Sequence, residues 1–311
     1  MGKLSQEIIV KRLAKIKYLY KIGIEQSLQV GTFAGFSVLA FHDCAEMFLL
    51  LVLEDKGDPR PKEEQKKKKK ISFMDYWDIF KDLTLKESMN VLKERRVNIK
   101  HKGIFPSTSD IEECRITITQ FFRENIQKQF KVDFDTISLA DLIVFPNIKE
   151  YVLNAEKSLG QCNTYECLIN TRVGFEELIH TYESDKQQWH DSIFNVGEKV
   201  GNDFRNLVSN RKDGLRWFEQ VTHTTNDIRR IIKVAALGLD YKKYALFDFI
   251  TPKIMETCGT GKDKYAKESK DDFEKTRTVT NQDCQFCINF VIDSAMKLQE
   301  FNFCINKYLV R

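Results

Sequence analysis

The chain has 311 residues, 42% of them hydrophobic, which is enough to bury one large core or two ordinary ones. Its 49 basic and 45 acidic side chains leave a net charge of +4, a mild surplus that permits a polyanionic partner without demanding one. The most apolar stretch, Phe36 to Leu53, is interrupted by His42, Asp43 and Glu46, so it reads as a buried helix rather than a membrane span. The first thirty residues scatter Lys3, Lys11, Arg12, Lys15, Lys17 and Lys21 among apolar positions, without the block order of a signal peptide. A cytoplasmic protein with no membrane association is therefore expected, with its eight cysteines as reduced thiols.

Five prolines and few glycines leave room for long helices, and the predicted fold is all-α. Residues 5–25 carry Ile9, Leu13, Ile16, Tyr20 and Ile24 at helical spacing. Residues 32–55 form a second helix, apolar nearly all round and so central to the core. Asp55 to Pro59 ends it, and a solvated loop follows with the run Lys66, Lys67, Lys68, Lys69 and Lys70, which can hold RNA backbone through salt-sensitive contacts or lie disordered. Residues 72–82 are predicted helical, with Ser72 as N-cap and Asp75 three positions on. A fourth helix runs from Thr84 through His101 and is stopped by Gly103 and Pro106. A fifth spans Ser109 to Gln129, with acidic residues in its first turn. Helix continues from Leu139 to Asn154 around Pro146, and residues 155–175 read as a polar, cysteine-containing connection.

The second half is also predicted helical, with one or two helices over 175–209, others over 213–238 and 281–309, an apolar stretch at 241–255 broken by Thr251-Pro252, and a polar loop at 258–280. No β-hairpin signal stands out. Two domains are expected, 1–155 and 156–311, the role of the second being open.

The fourth helix carries the chemistry. Arg96 and His101 stand five positions apart, or about 140° around an α-helix, so they do not share a stripe. They converge on one phosphate if the helix end distorts near Gly103, or if two copies of the helix meet across a symmetric dimer. Histidine takes up and releases protons near neutral pH, and arginine grips phosphate and stabilises charge growing in a transition state. Asn98, Lys100 and Lys102 offer further donors to phosphate or base. The same residues also read as the solvated, dipole-favoured end of a helix. On the second helix His42 and Glu46 are i,i+4, with Asp43 adjacent. Either they orient Arg96 and take part in the site, or they pair with basic residues of a neighbouring helix. No metal is expected there, since two ligands are too few. The CxxC at Cys284 and Cys287 and the looser pair Cys162 and Cys167 do not share a zinc-site spacing, and Arg229, Arg230 and Lys233 read as a solvated face before a nucleic-acid surface.

The segment Leu92-Lys-Glu-Arg-Arg-Val-Asn-Ile-Lys-His-Lys-Gly103, preceded by an apolar helix with the embedded patch His42-Asp43-Cys44-Ala45-Glu46, resembles the hallmark motif of HEPN domains, an Arg, four to six residues, then His. The resemblance covers roughly residues 1–150. It implies an antiparallel HEPN-like helical bundle with an additional C-terminal helical region. It also implies a metal-independent endoribonuclease, without cofactor, in which Arg96 and His101 are the catalytic pair of a homodimer cleft and Arg95 satisfies the spacing too. The product would be a 2′,3′-cyclic phosphate. The resemblance further implies RNA as substrate, a role as effector or toxin in bacterial defence, and a regulatory or antitoxin partner protein. Many active members place a polar residue after the motif arginine, where this chain has Val97, and that departure keeps open a non-catalytic module that binds nucleotide, nucleic acid or a partner.

Overall fold

In the computed structural model the described residues are 4–60, 71–188, 191–195, 212–257, 264–305 and 308, and they form an all-α fold in two compact units that divide between Leu142 and Ile143. The lysine run at 66–70 lies outside the described residues.

In the first unit, α1 (Gln6–Ser27) and α2 (Ser37–Lys56) form an antiparallel hairpin through a 3-10 turn at Gly31–Phe36. Its register is set at both ends. The Asp55 carboxylate accepts from the Leu4 amide at 3.2 Å, Arg12 pairs with Glu54, and Gly23 lets the Phe41 ring lie where any side chain would collide with it. Next come a 3-10 turn at Phe73–Asp75 and the short α3 (Tyr76–Ile79), opened by a capping box between Ser72 and Asp75. Helix α4 (Lys86–Val97) begins after Leu85, which sits in the left-handed region at φ 61°. Helix α5 (Thr108–Phe130) opens on a second capping box, Ser107 with Asp110. Helix α2 packs against α1, α4 and α5, and Phe41, Phe48, Leu49, Phe121 and Phe122 fill the space between them with no exposed surface. The composition of Gly31–Lys56 is long and apolar enough to cross a membrane, yet its apolar face is committed to this core, 56% of its most apolar window being buried.

In the second unit, α6 (Pro146–Gly160, with its proline in the first turn) and α7 (Thr164–Glu183) pack side by side. Two short strands, β1 (Gln187–Gln188) and β2 (Asp191–Ser192), pair antiparallel, and α8 (Lys212–Ala236) and α9 (Tyr241–Ile250) follow. Strands β3 (Ile254–Glu256) and β4 (Tyr265–Lys267) form a second antiparallel ladder, then α10 (Lys270–Thr276) and α11 (Asn281–Glu300) close the unit. Helix α11 packs on α6, α7 and α9 around Phe175, Phe247, Ile288 and Val291.

Several expectations change. The boundary falls before α6 rather than at 155, because Ile148, Val152 and Ala155 of α6 are buried beside α7. The stretch 155–175 is helical except for the turn at 161–163, where Cys162 takes a positive φ of 58° and Asn163 caps α7. Helix α7 ends at Glu183, the remainder of the predicted helical stretch from 196 to 209 lies outside the described residues, and the polar stretch 264–280 holds a strand and a helix instead of a loop. Strands of two and three residues are too short to show an alternation in the sequence.

The turn that aims α4 depends on one buried amide. Asn125 on α5 has no exposed surface. Its Oδ1 accepts from the Thr84 amide at 3.0 Å, and its Nδ2 donates to Thr84 Oγ1 at 2.9 Å and to the Phe121 carbonyl at 2.8 Å. Asn125→Ala strands the Thr84 amide and is expected to cost roughly 2–3 kcal/mol of stability, read by urea unfolding; a loss under half a kcal/mol would show that the turn holds itself.

Candidate functional site

Arg95 and Arg96 leave α4 in different directions. Arg95 is clamped to the start of α5: its guanidinium donates to Asp110 Oδ1 at 2.7 Å, Glu113 Oε2 at 2.6 Å, the Asp110 carbonyl at 3.2 Å and Cys114 Sγ at 3.3 Å. These contacts occupy both terminal nitrogens, so it holds two helices together and leaves the motif to Arg96. About 100° further round the helix, Arg96 faces α2, with Nε 3.8 Å from Asp43 Oδ1 and no hydrogen-bond partner for that nitrogen.

After Val97 the helix widens. Asn98–Lys102 is a π-helical turn, the rare geometry in which each amide reaches back five residues and which often marks functional positions. Gly103 ends it at φ 65°, with its amide directed to the Asn98 and Ile99 carbonyls, and the Ile104 amide also bonds to the Asn98 carbonyl at 3.2 Å. Only glycine adopts that φ without strain. A π turn takes roughly 4.4 residues per revolution, so the angle between Arg96 and His101 closes from about 140° towards roughly 70°. The helix end is thus distorted, the first of the two routes by which the pair can converge. Even so, Arg96 is half-buried against α2 while His101 is exposed, and among the described residues His101 makes no hydrogen bond or ion pair. Lys100 and Lys102 are exposed beside it, and Asn98 is half-buried.

On α2 the polar patch is brought together as its spacing suggested. His42 is only 3% exposed, its ring lies 4.3 Å from that of Phe73, and among the described residues neither ring nitrogen has a hydrogen-bond partner. Its Nδ1 is 3.7 Å from Asp43 Oδ1, too far for a hydrogen bond. Burial first, then the nearby Arg96 and Lys100 charges, push the imidazole down to about 4 against the opposing pull of Asp43, so it is neutral at physiological pH. Glu46 completes the patch: ligand atoms of His42, Asp43 and Glu46 all lie within 4.8 Å of one another. Asp43 thus joins His42 and Glu46 as a third group of ligand type, where the sequence spacing pointed to two.

The other candidates are placed as well. Arg230 pairs with Glu176 and Tyr244, and Lys233 Nζ lies 3.0 Å from Glu183 Oε2, so this row serves ion pairs inside the second unit rather than a basic surface. These groups border a cavity of about 610 Å³ that the sequence did not announce. Its signal was the row of Glu176, His180 and Glu183 at three- and four-residue spacing on α7. Cys167, Cys284 and Cys287 are buried, Cys162 is exposed, and among the described residues the cysteines form no cluster of metal-ligand geometry.

No family model matches the chain, and no curated protein or solved structure is significantly similar to it.

His42 ties stability to pH. Its folded value of about 4 lies below the 6.5 of an exposed imidazole, so its contribution is complete above pH 6.5 and is lost as the pH falls towards 4. The charged groups facing it are Asp43 and Glu46 on α2 and Arg96 and Lys100 across from it. With chelator present, unfolding free energy is expected to fall between pH 7 and pH 5 by roughly 2 kcal/mol more in wild type than in His42→Gln; equal slopes by urea titration at the two pH values would refute this.

Proposed function

We propose that the chain is a metal-independent endoribonuclease of the HEPN type, in which Arg96 and His101 act on the scissile phosphate in a cleft shared by two copies. The observation that carries this reading is the pairing of a half-buried arginine, its Nε unpartnered beside Asp43, with a free histidine one π-helical turn further on. Asp43 positions Arg96 by charge, and the guanidinium holds a non-bridging phosphate oxygen and takes up negative charge as it grows. His101 removes the 2′-hydroxyl proton, the freed oxygen attacks the adjacent phosphorus, and the bond to the 5′-oxygen breaks. That leaving oxygen takes a proton from water, so the products are a 2′,3′-cyclic phosphate and a 5′-hydroxyl end. Asn98, Lys100 and Lys102 supply further contacts to the RNA.

Two features support a shared cleft. Within one chain Arg96 and His101 do not meet, so a single copy lacks a closed site. Just past Gly103, Ile104 is 57% exposed and Phe105 packs edge-on against the exposed Phe36, apolar surface of the sort that a second copy would cover. Action in the cytoplasm as a defence effector or toxin, restrained by a partner protein, is part of the proposal and rests on the family resemblance alone.

A second reading, a non-catalytic module that binds RNA, nucleotide or a partner protein, is favoured by the exposure of His101 and by Val97 in the position after Arg96. Cleavage assays separate the two. Arg96→Ala and His101→Ala are each expected to reduce RNA cleavage by at least about a hundredfold with the helical circular dichroism unchanged. Mixing the two variants is expected to restore part of the activity through heterodimers carrying one intact arginine and one intact histidine. Wild-type cleavage by both variants would end the nuclease reading. RNA binding without cyclic-phosphate ends would establish the second, and no recovery on mixing would end the shared cleft.

A further inference from the structure

We propose that His42, Asp43 and Glu46 form a binding site for one divalent transition-metal ion, Zn²⁺ in the first instance, on the face of α2 that receives Arg96.

Three observations meet there. The first is composition: one imidazole nitrogen and two carboxylate oxygens lie within 4.8 Å of one another, contributed from positions i, i+1 and i+4 of a well-buried helix. The second is the state of His42. A histidine that is 97% buried normally donates from one nitrogen and accepts at the other, because a buried polar group without a partner costs free energy. Among the described residues this ring, 3% exposed, does neither, and its tilted contact with Phe73 at 4.3 Å restricts its plane. A metal ion on Nδ1 would satisfy the lone pair that no described residue uses. The third is distance. The 3.7 Å between His42 Nδ1 and Asp43 Oδ1 is too long for a hydrogen bond. Two ligands held about 2.1 Å from a tetrahedral zinc stand roughly 3.4 Å apart, so the pair needs to close by only a few tenths of an ångström. Asp43 and Glu46 are both partly exposed, and small torsional movements bring their oxygens in.

The ligand set selects the ion. Mg²⁺ and Ca²⁺ take all-oxygen shells, whereas an imidazole with two carboxylates and an open fourth position for water suits zinc and its neighbours in the first transition row. Two negative carboxylates balance the charge of the ion. Arg96 does not displace it, because its Nε stands 3.8 Å from Asp43 with no hydrogen bond made. With the metal on one Asp43 oxygen, the guanidinium can take the other, as outer partners of ligating carboxylates commonly do. The ion would then fix the Asp43 rotamer and through it the direction of Arg96. That consequence rests on the nuclease reading, but the site itself does not.

The test uses the full-length protein stripped with chelator, and reads binding rather than cleavage, so it stands whether or not the chain cuts RNA. Titration calorimetry with Zn²⁺ is expected to show one ion per chain. Co²⁺ is expected to give visible d–d bands without a thiolate charge-transfer band. Glu46→Gln, a change at a partly exposed position that leaves the core intact, and His42→Gln are each expected to weaken Zn²⁺ binding more than tenfold. They are also expected to abolish the rise in melting temperature that zinc gives the wild type. Absence of Zn²⁺ binding to wild type, equal binding by Glu46→Gln, or a cobalt spectrum dominated by thiolate would each overturn the proposal, the last by placing the metal on the cysteines.

Discussion

The clamp from Arg95 to the first turn of α5 sets the rotation of α4 about its own axis, and the geometry of the candidate site follows from that rotation. Three acceptors on Asp110 and Glu113, with the Cys114 sulfur behind them, fix one guanidinium in a position only 17% exposed. Neighbouring side chains on a helix diverge by about 100°, so once Arg95 is committed to α5, Arg96 must face α2. The acceptors are themselves held in place, since Asp110 is the reciprocal member of the capping box with Ser107. A helix start on one element therefore orients a candidate catalytic side chain on another.

The same rotation explains why α2 can carry a polar patch inside an apolar helix. Ala45, Phe48, Leu49 and Val52 are wholly buried in the core, while Asp43 and Glu46 look out towards α4 and solvent. His42 falls between these two environments. It is buried with the apolar residues, which keeps its ring uncharged, yet its Nδ1 faces the carboxylates. A neutral imidazole, two carboxylates and an unsatisfied guanidinium within a few ångströms make a site with unused binding capacity for both an anion and a cation. The phosphate proposed at Arg96 and the metal proposed at His42 draw on different parts of that capacity, with Asp43 common to both.

In the second unit polar groups are buried differently, in mutual ion pairs. Arg172 bonds to Asp248 at 2.6 Å and lies 3.4 Å from Glu176, which also pairs with Arg230. Partners that satisfy one another in this way rigidify a core and leave little free for a ligand. Arg172 Nε and one Glu183 oxygen still lack a hydrogen bond there, but each of those groups has a charged partner, whereas both ring nitrogens of His42 in the first unit lack a hydrogen-bond partner among the described residues.

Much of this was legible in the residues themselves. The 3.6-residue spacing of apolar side chains located the helices of the first unit, and Ser72 with Asp75 and the near-continuous apolar run on α2 were read as a cap and a core helix because those signals are local. The i,i+4 relation of His42 and Glu46 likewise follows from helix geometry alone. What the sequence could not decide was which of two adjacent arginines would be free, since that depends on acceptors fifteen to nineteen positions away on α5. Nor could it place the domain boundary, because the burial of α6 against α7 is a long-range choice, or show the π turn, whose extra residue leaves no mark on composition. Helix existence and the identity of the polar patch were thus determined by local periodicity. The direction of Arg96, the isolation of His42 and the third ligand at Asp43 were decided by tertiary packing, because each is a relation between side chains on helices that the chain brings together only when folded.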